Sequence, residues 1–307
     1  MADHSAIQWT DATWNPTTGC TKISPGCAHC YIERTPAFRI AGRKFDKNGH
    51  ISLQLHNQRR LTQPLRWRNP RRIFVNSLSD LFHDDVPDQV LHQVYHTMEA
   101  AHWHTFQVLT KRPERMRAYL QWRYGPDADT PRGRIPSRHI WHGVSVENQH
   151  FADERIPLLL DTPAAVRFIS AEPLLGGVDL LLQPRRRCYH DVLRGFIDNE
   201  YPDQPRQPTA KLDWVIVGGE SGPGARAFDL NWARSIIQQC HAAGVACFVK
   251  QLGAHAFEGE PENGGGGPLY GLRDRKGGDP GEWPEDLRVR EYPLPRGTSQ
   301  TSQRSQR

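Results

Sequence analysis

The chain has 307 residues, of which 37% are hydrophobic and 24% charged, with a formal net charge of +5 and nine tryptophans. That is enough apolar material for a core, in one domain or two. No apolar run of about 18 residues occurs, which excludes a membrane-spanning helix, and Met1-Ala-Asp-His-Ser lacks the basic and apolar regions of a secretory signal.

Strand-like and helix-like segments alternate along most of the chain. Ile7 to Thr13, in the tryptophan-rich start, is a candidate first strand. Arg72 to Ser77 reads as a strand, and Val86 to Trp103 as a helix with Val90, Leu91, Val94 and Met98 at helical spacing. Strand Thr105 to Thr110 precedes helix Pro113 to Trp122. Strand His139 to Val146 precedes helix Gln149 to Leu160. Strand Val166 to Ala171 comes next, then strand Asp213 to Gly219, helix Asn231 to Ala243 and strand Val245 to Lys250. This alternation predicts an α/β fold with a parallel sheet, a partial or complete β/α barrel of about six to seven units.

Three stretches break the pattern. Gln121 to Ser137 reads as a loop. Gln183 to Lys211 reads as an insertion and candidate lid with a short helix around Asp191 to Ile197. Phe257 to Glu285, with Gly264-Gly-Gly-Gly, and the tail from Gly297 read as loose. The expected division is a barrel domain over 1–255 and a Gly/Pro-rich, partly flexible extension over 256–307.

Each of the six main strands ends in polar residues: Asn76 to Asp80, Thr110-Lys111-Arg112, Ser145 to Asn148, Ser170-Ala-Glu172, Gly218-Gly-Glu220 and Lys250-Gln251. In parallel β/α folds ligands gather at this carboxyl rim. Lys111 and Lys250 are candidate catalytic residues there, with salt-bridged strand ends as the plain alternative. Ser79, Asp80 and Asn148 also read as helix caps. The turn Gly218 to Gly224 suits an anionic or nucleotide ligand, or is simply a tight loop.

Charge is unevenly spread. From Tyr31 to Arg72 there are eleven Lys/Arg against Glu33 and Asp46, a local +9 that leaves the remainder slightly acidic. Arginines interleaved with aromatics suit phosphate backbones and bases, so segment 31–72 is a candidate nucleic-acid contact; a solvated basic face is the alternative.

Six cysteines occur, and three follow the pattern Cys20-x6-Cys27-x2-Cys30. Clustered thiols in a chain of this length point to a metal site in a reducing, cytoplasmic setting. A structural zinc takes four ligands, the fourth here being His29, His50 or His83. An Fe–S cubane held by three cysteines leaves one iron open for a ligand. Unliganded thiols or a disulfide are the remaining alternatives. Cys188, Cys240 and Cys247 have no mutual spacing, and the last two lie on apolar faces.

Trp9-Thr-Asp-Ala-Thr-Trp-Asn-Pro-Thr-Thr-Gly-Cys20 and Cys27-Ala-His-Cys-Tyr31 begin a series of motifs. It continues through Asn76-Ser-Leu-Ser-Asp-Leu-Phe-His, Leu109-Thr-Lys-Arg-Pro, Gly143-Val-Ser-Val-Glu-Asn, Ile169-Ser-Ala-Glu-Pro-Leu and Val217-Gly-Gly-Glu-Ser-Gly. In this order, over residues 7 to 255, the chain resembles the phage-associated three-cysteine family, which generally carries no assigned activity. More broadly it resembles the radical S-adenosylmethionine superfamily.

That resemblance implies a [4Fe-4S] cluster on Cys20, Cys27 and Cys30, with the open iron chelating S-adenosylmethionine. Reductive cleavage then yields a 5′-deoxyadenosyl radical, with a flavodoxin or ferredoxin as electron donor. It also implies that Asn76, Ser77 and Asp80 bind the amino group, that Ser145 and Glu147 contact the ribose, and that Gly218 and Gly219 pack on adenine. Glu172 and Glu220 are further cofactor-binding candidates on the rim. The chain departs from the superfamily pattern in its six-residue first spacer, in His29 before the last cysteine, and in Asn76 to Asp80 where Gly-Gly-Glu is usual. The function expected is radical chemistry on a nucleic acid or nucleotide, in modification or repair. The alternatives are a zinc-stabilised, non-catalytic nucleic-acid-binding protein, and an Fe–S hydrolyase or sulfur-transfer enzyme.

Overall fold

The computed structural model describes residues 5–125, 136–199, 205–259 and 271–293. Its elements begin with β1 (Ala12–Trp14), β2 (Thr17–Thr21), α1 (Pro36–Ile40), β3 (His50–Leu55), α2 (Gln58–Leu61) and β4 (Arg72–Val75). Then follow α3 (Asp88–Ala100), β5 (Thr105–Thr110), α4 (Pro113–Tyr124), β6 (Ile140–Ser145), α5 (Gln149–Leu160) and β7 (Val166–Ala171). Next are β8 (Leu181–Arg185), β9 (Cys188–Asp191), β10 (Phe196–Asn199) and β11 (Gln207–Pro208). The series closes with β12 (Trp214–Gly218), β13 (Phe228–Asp229), α6 (Leu230–Ala243), β14 (Ala246–Gln251) and β15 (Ala256–Phe257).

Seven parallel strands form one sheet in the order β1-β4-β5-β6-β7-β12-β14. The spatial order is the chain order, so every crossover advances in the same direction and the sheet curls into a half-barrel. The expected alternation is present, and the first strand is shorter than Ile7 to Thr13. Helices start where side chains or prolines satisfy their first turn. Pro113 occupies the first turn of α4, and the Asn148 side chain accepts from the Phe151 N–H at 3.3 Å to cap α5. Among the described residues no helix is long and apolar enough to cross a membrane.

Two expectations need correction. No helix forms at Asp191 to Ile197. The Asp191 carboxylate accepts from the N–H groups of Leu193 and Arg194 at 3.2 and 2.8 Å, an Asx turn that joins β9 to β10 as a hairpin. The insertion is therefore a four-stranded antiparallel sheet, β11-β10-β9-β8. It packs on the helical side of the barrel: Arg194 donates to the Ala242 carbonyl, and Leu182, Val192 and Leu193 join the core shared with α5 and α6.

The second correction concerns the end of the chain. The backbone of residues 289–291 lies along the outer edge of β14, with Val249 N–H donating to Val289 and Glu291 N–H to Cys247, both at 2.8 Å. Trp283 and Leu287 are buried, and the Trp283 indole N–H donates to the Gly277 carbonyl at 3.0 Å. Of the stretches read as loose, residues 271–285 are thus packed, while Gly264-Gly-Gly-Gly and the tail from Gly297 lie outside the described residues. So does most of the expected loop at 121–137, whose first residues extend α4.

Removing Trp283 would leave a void in a core that the segment shares with β14. Trp283→Ala is expected to lower stability by about 3–5 kcal/mol in urea unfolding. A loss below about 1 kcal/mol would place the segment outside the cooperative core.

Candidate cysteine-loop site at the carboxyl rim

Alternate residues of a strand share a face. On the concave face Phe74, Phe168, Trp214, Ile216 and Phe248 form an apolar floor with Trp9, joined by Leu109, Trp141 and Tyr292. Continuing each strand by two, four or six residues on that face reaches Asn76, Lys111, Ser145, Glu147, Glu172, Gly218, Glu220 and Lys250. The polar rim and the aromatic floor are therefore one face of one sheet, read from the carboxyl end to the middle.

The cysteine loop lies across this rim. Cys20 is on β2, which pairs with β3 as an antiparallel hairpin. Pro25 to Cys27 form a short helical turn, and Cys30 N–H donates to the Cys27 carbonyl at 3.2 Å. Four strand ends hold the loop. Ser24 Oγ donates to Glu147 Oε1 at 2.6 Å, beyond β6. Arg112, after β5, donates to the Thr21 carbonyl at 3.3 Å. Tyr31 Oη donates to the Ser77 carbonyl, after β4. Beyond β12, His29 Nδ1 lies 3.0 Å from Glu220 Oε2, and Arg226 spans from Glu220 to the Pro25 carbonyl at 2.9 Å. Gly26 sits so close that a Cβ there would lie 2.5 Å from the Glu147 carboxylate.

Glu147 is fully buried. It pairs with Lys111 through Oε1 and with Arg155 through Oε2 at 3.0 Å. Burial pushes its pKa up, but the Lys111 and Arg155 cations outweigh that and hold it below the usual carboxylate range. Burial likewise opposes ionisation of Glu220. Hydrogen bonds from the Arg226 side chain and backbone, then from His29, win and set it at about 2.

The thiols behave in the opposite way. Burial, reinforced by the Asp80 carboxylate and opposed by Arg112, pushes Cys20 up to about 12. Burial raises Cys30 as well, against Lys111 and Lys22. These two thiols are protonated at neutral pH unless a metal draws them into thiolate form. None of the three is in a disulfide. Cys20 and Cys30 pack against Ile32, Phe38 and Ile51, so the loop has its own small apolar base.

The other rim candidates are already partnered. Asn76, with a left-handed φ of 60° that Asn tolerates, exchanges hydrogen bonds with Thr17. Ser77 bonds Asn15. The Asp80 carboxylate accepts from Thr110 Oγ1 at 2.7 Å, Phe82 N at 2.9 Å, Lys111 N at 3.1 Å and Arg112 at 3.0 Å. Lys111 pairs with Glu147 and Lys250 with Glu172. Ser145 is buried beneath Glu147, its carbonyl accepting from Arg155 at 2.9 Å. Gly218 and Gly219 end β12, where a Cβ on Gly219 would lie 2.4 Å from the Leu252 carbonyl; glycine there admits the neighbouring chain. Of the three histidines weighed as a fourth zinc ligand, His29 faces Glu220, while His50 and His83 both face the Thr21 hydroxyl.

Ser24, Arg155 and Arg226 complete the site and are missed by motif reasoning, while Tyr31 and Arg112 stand in the motifs without an assigned role. Arg155 lies within a helix eight residues after Glu147, and Arg226 follows the glycine turn. Charged residues at such places look like surface ones.

A family model described as "Protein of unknown function (DUF5131)" matches residues 4–292. The chain belongs to the DUF5131 family. No curated protein and no solved structure matches it.

In this DUF5131 chain several cations of the basic segment are engaged within the fold. Arg72 pairs with Asp11 at 3.0 Å, and Arg43 donates to the Ser52 carbonyl at 2.6 Å. Arg59, Arg60 and Arg66, with Asn57 and Gln63, line a shallow depression of about 270 Å³.

Two outcomes follow from the rim network. Glu147→Ala removes the closer and buried countercharge of Arg155, leaving only Glu154 at 3.8 Å, and is expected to lower stability by about 3–5 kcal/mol in denaturant unfolding. Glu220 has a folded pKa of about 2 against an ordinary 4.5. Its contribution is complete above the ordinary value and is lost as pH falls towards 2. The stability difference between wild type and Glu220→Gln should therefore shrink across that window in acid titrations, and a constant difference would refute the assignment.

Proposed function

We propose that the chain is a radical S-adenosylmethionine-type iron–sulfur enzyme acting on a nucleic acid or nucleotide. Cys20, Cys27 and Cys30 would hold three irons of a [4Fe-4S] cluster. The observation that carries this reading is the pinning of a three-cysteine loop across the carboxyl rim of a parallel half-barrel by four strand ends.

The donor set fits such a group. It offers three soft sulfur ligands, and His29, His50 and His83 are engaged elsewhere. A single zinc ion with bonds of about 2.3 Å would bring its sulfurs to about 3.8 Å of one another. Among the described residues the only three-ligand group gathered within 4.8 Å is a different one, His50, His83 and Asp85. Lys22, Lys111 and Arg112 supply positive charge around the thiols, which suits an anionic thiolate-ligated cluster. When bound, the cluster and S-adenosylmethionine supply the electron and the reductive bond cleavage that start radical chemistry.

The chain's own residues do the positioning. Lys111, Glu147 and Ser24 fix the loop against β5 and β6, and Arg226, Glu220 and His29 fix it against β12. The aromatic floor keeps water out from below. Lys250 and Glu172 present a paired charge on the concave side for a polar substrate. The basic segment follows the loop directly and supports a polyanionic substrate, as the resemblance to a phage-associated family does. A flavodoxin or ferredoxin as donor and a cytoplasmic setting belong to the same proposal.

Anaerobically reconstituted protein is expected to carry about four irons and four sulfides per chain. It should cleave S-adenosylmethionine when reduced, and Cys20→Ala, Cys27→Ala and Cys30→Ala should each abolish both. Stoichiometric zinc without labile sulfide would overturn the proposal.

A further inference from the structure

The hairpin that carries Cys20 also contributes one member of a second set of metal-ligating side chains. His50 is the cross-strand partner of Thr21 in the β2–β3 pair. His83 and Asp85 come from the loop between β4 and α3. One ligand atom from each of His50, His83 and Asp85 lies within 4.8 Å of the other two.

Hydrogen bonding fixes the proton positions. His83 Nδ1 accepts from the Asp85 N–H at 3.2 Å, so in a neutral ring the proton is on Nε2, 2.8 Å from the Thr21 hydroxyl. Having accepted from His83, that hydroxyl donates to His50 Nδ1 at 2.8 Å. In this arrangement each ring has its one lone pair on Nδ1, held by the Asp85 N–H in His83 and by the Thr21 hydroxyl in His50, and an incoming ion would take the place of those hydrogen bonds.

The backbone around them is stiff. His83 N–H donates to the Asp80 carbonyl at 3.1 Å, and Val86 N–H to the His83 carbonyl at 2.9 Å. Arg115 reaches from α4 to the His83 carbonyl, the Val86 carbonyl and Asp88. His83 is buried, whereas the Asp85 side chain is 58% exposed and free to swing inward. Ligands around an ion bound at about 2.0–2.1 Å stand about 3.3 Å apart, so closing the set takes movements of about 1.5 Å at most. Held in this way, two imidazoles and a movable carboxylate form a site with three protein ligands and open positions for water.

We propose that His50, His83 and Asp85 bind one borderline divalent transition-metal ion of the zinc, iron(II) or cobalt(II) class. The site is separate from the cysteine triad and does not rest on the iron–sulfur reading. The ion joins the hairpin bearing Cys20 to the loop that follows β4, so it stiffens the support of the first cysteine.

Cobalt(II) titration of the full-length protein with Cys20, Cys27 and Cys30 all replaced by serine tests this. One equivalent should bind, with visible ligand-field bands and no thiolate-to-metal charge transfer. His50→Gln and Asp85→Asn, at partly exposed positions, should each weaken binding about tenfold or more, and His83→Ala should abolish it. If the cysteine-replaced protein is insoluble, the wild type decides the matter through the presence or absence of the nitrogen–oxygen ligand spectrum. Failure to bind stoichiometrically, or binding indifferent to both His50→Gln and Asp85→Asn, overturns the proposal. A cobalt spectrum of thiolate type alone overturns it too, and leaves the iron–sulfur reading untouched.

Discussion

Glu147 keeps a negative charge where water does not reach, and much of the rim is arranged around that fact. An isolated buried carboxylate is disfavoured by several kcal/mol, so it persists only between close cations with its oxygens hydrogen-bonded. Lys111 supplies one cation from the end of β5, and Arg155 the other from α5. Ser24 fills a remaining acceptor site from the cysteine loop. One side chain thereby ties two strands, a helix and the loop together. It also dictates the loop's sequence locally, since the backbone approaches too closely for anything but glycine at position 26.

The same logic explains what could be read from the amino-acid order. Helix Gln149 to Leu160 and strand Val166 to Ala171 appear at their expected bounds, because β-branched runs and helical periodicity are local signals. The polar strand ends were legible for the same reason: alternation carries a face from floor to rim. What was illegible depends on distance. Whether Lys111 is a free base or the partner of Glu147 is decided across 36 residues, and no local pattern encodes that. Asp191 to Ile197 has helix-like composition, yet a single carboxylate closing on two N–H groups turns the chain into a hairpin. Trp283 sits among prolines, glycines and acids that suggest a loose tail, and only its buried indole reveals a packed segment.

Asn76, Ser77 and Asp80 illustrate how a rim position and a scaffold position coincide. Resemblance puts them beside an amino group, whereas their polar atoms here bond Thr17, Asn15 and Arg112. These contacts span from the end of β4 to the cysteine hairpin and to the end of β5. The loop's placement and any ligand's contacts therefore share the same few side chains, and a ligand that recruits one of them acts on the loop as well. The modest +5 of the chain hides a comparable division, with a basic arm beside the loop and a slightly acidic barrel beneath it.

The aromatic floor has a consequence for how the molecule comes into being. Trp9 and Tyr292 approach from opposite ends of the described chain and meet on one indole, Trp214, at centroid distances of 6.2 and 5.4 Å. The Trp214 N–H donates to the carbonyl of Glu291 at 2.9 Å. Strands and helices of the barrel emerge from the ribosome in the order in which they pair, so the sheet can grow during synthesis. Its floor cannot be sealed until residue 292 has left the exit tunnel. Through that interval the nascent half-barrel presents an unsealed aromatic surface, and the last described residues act as the stopper that ends it.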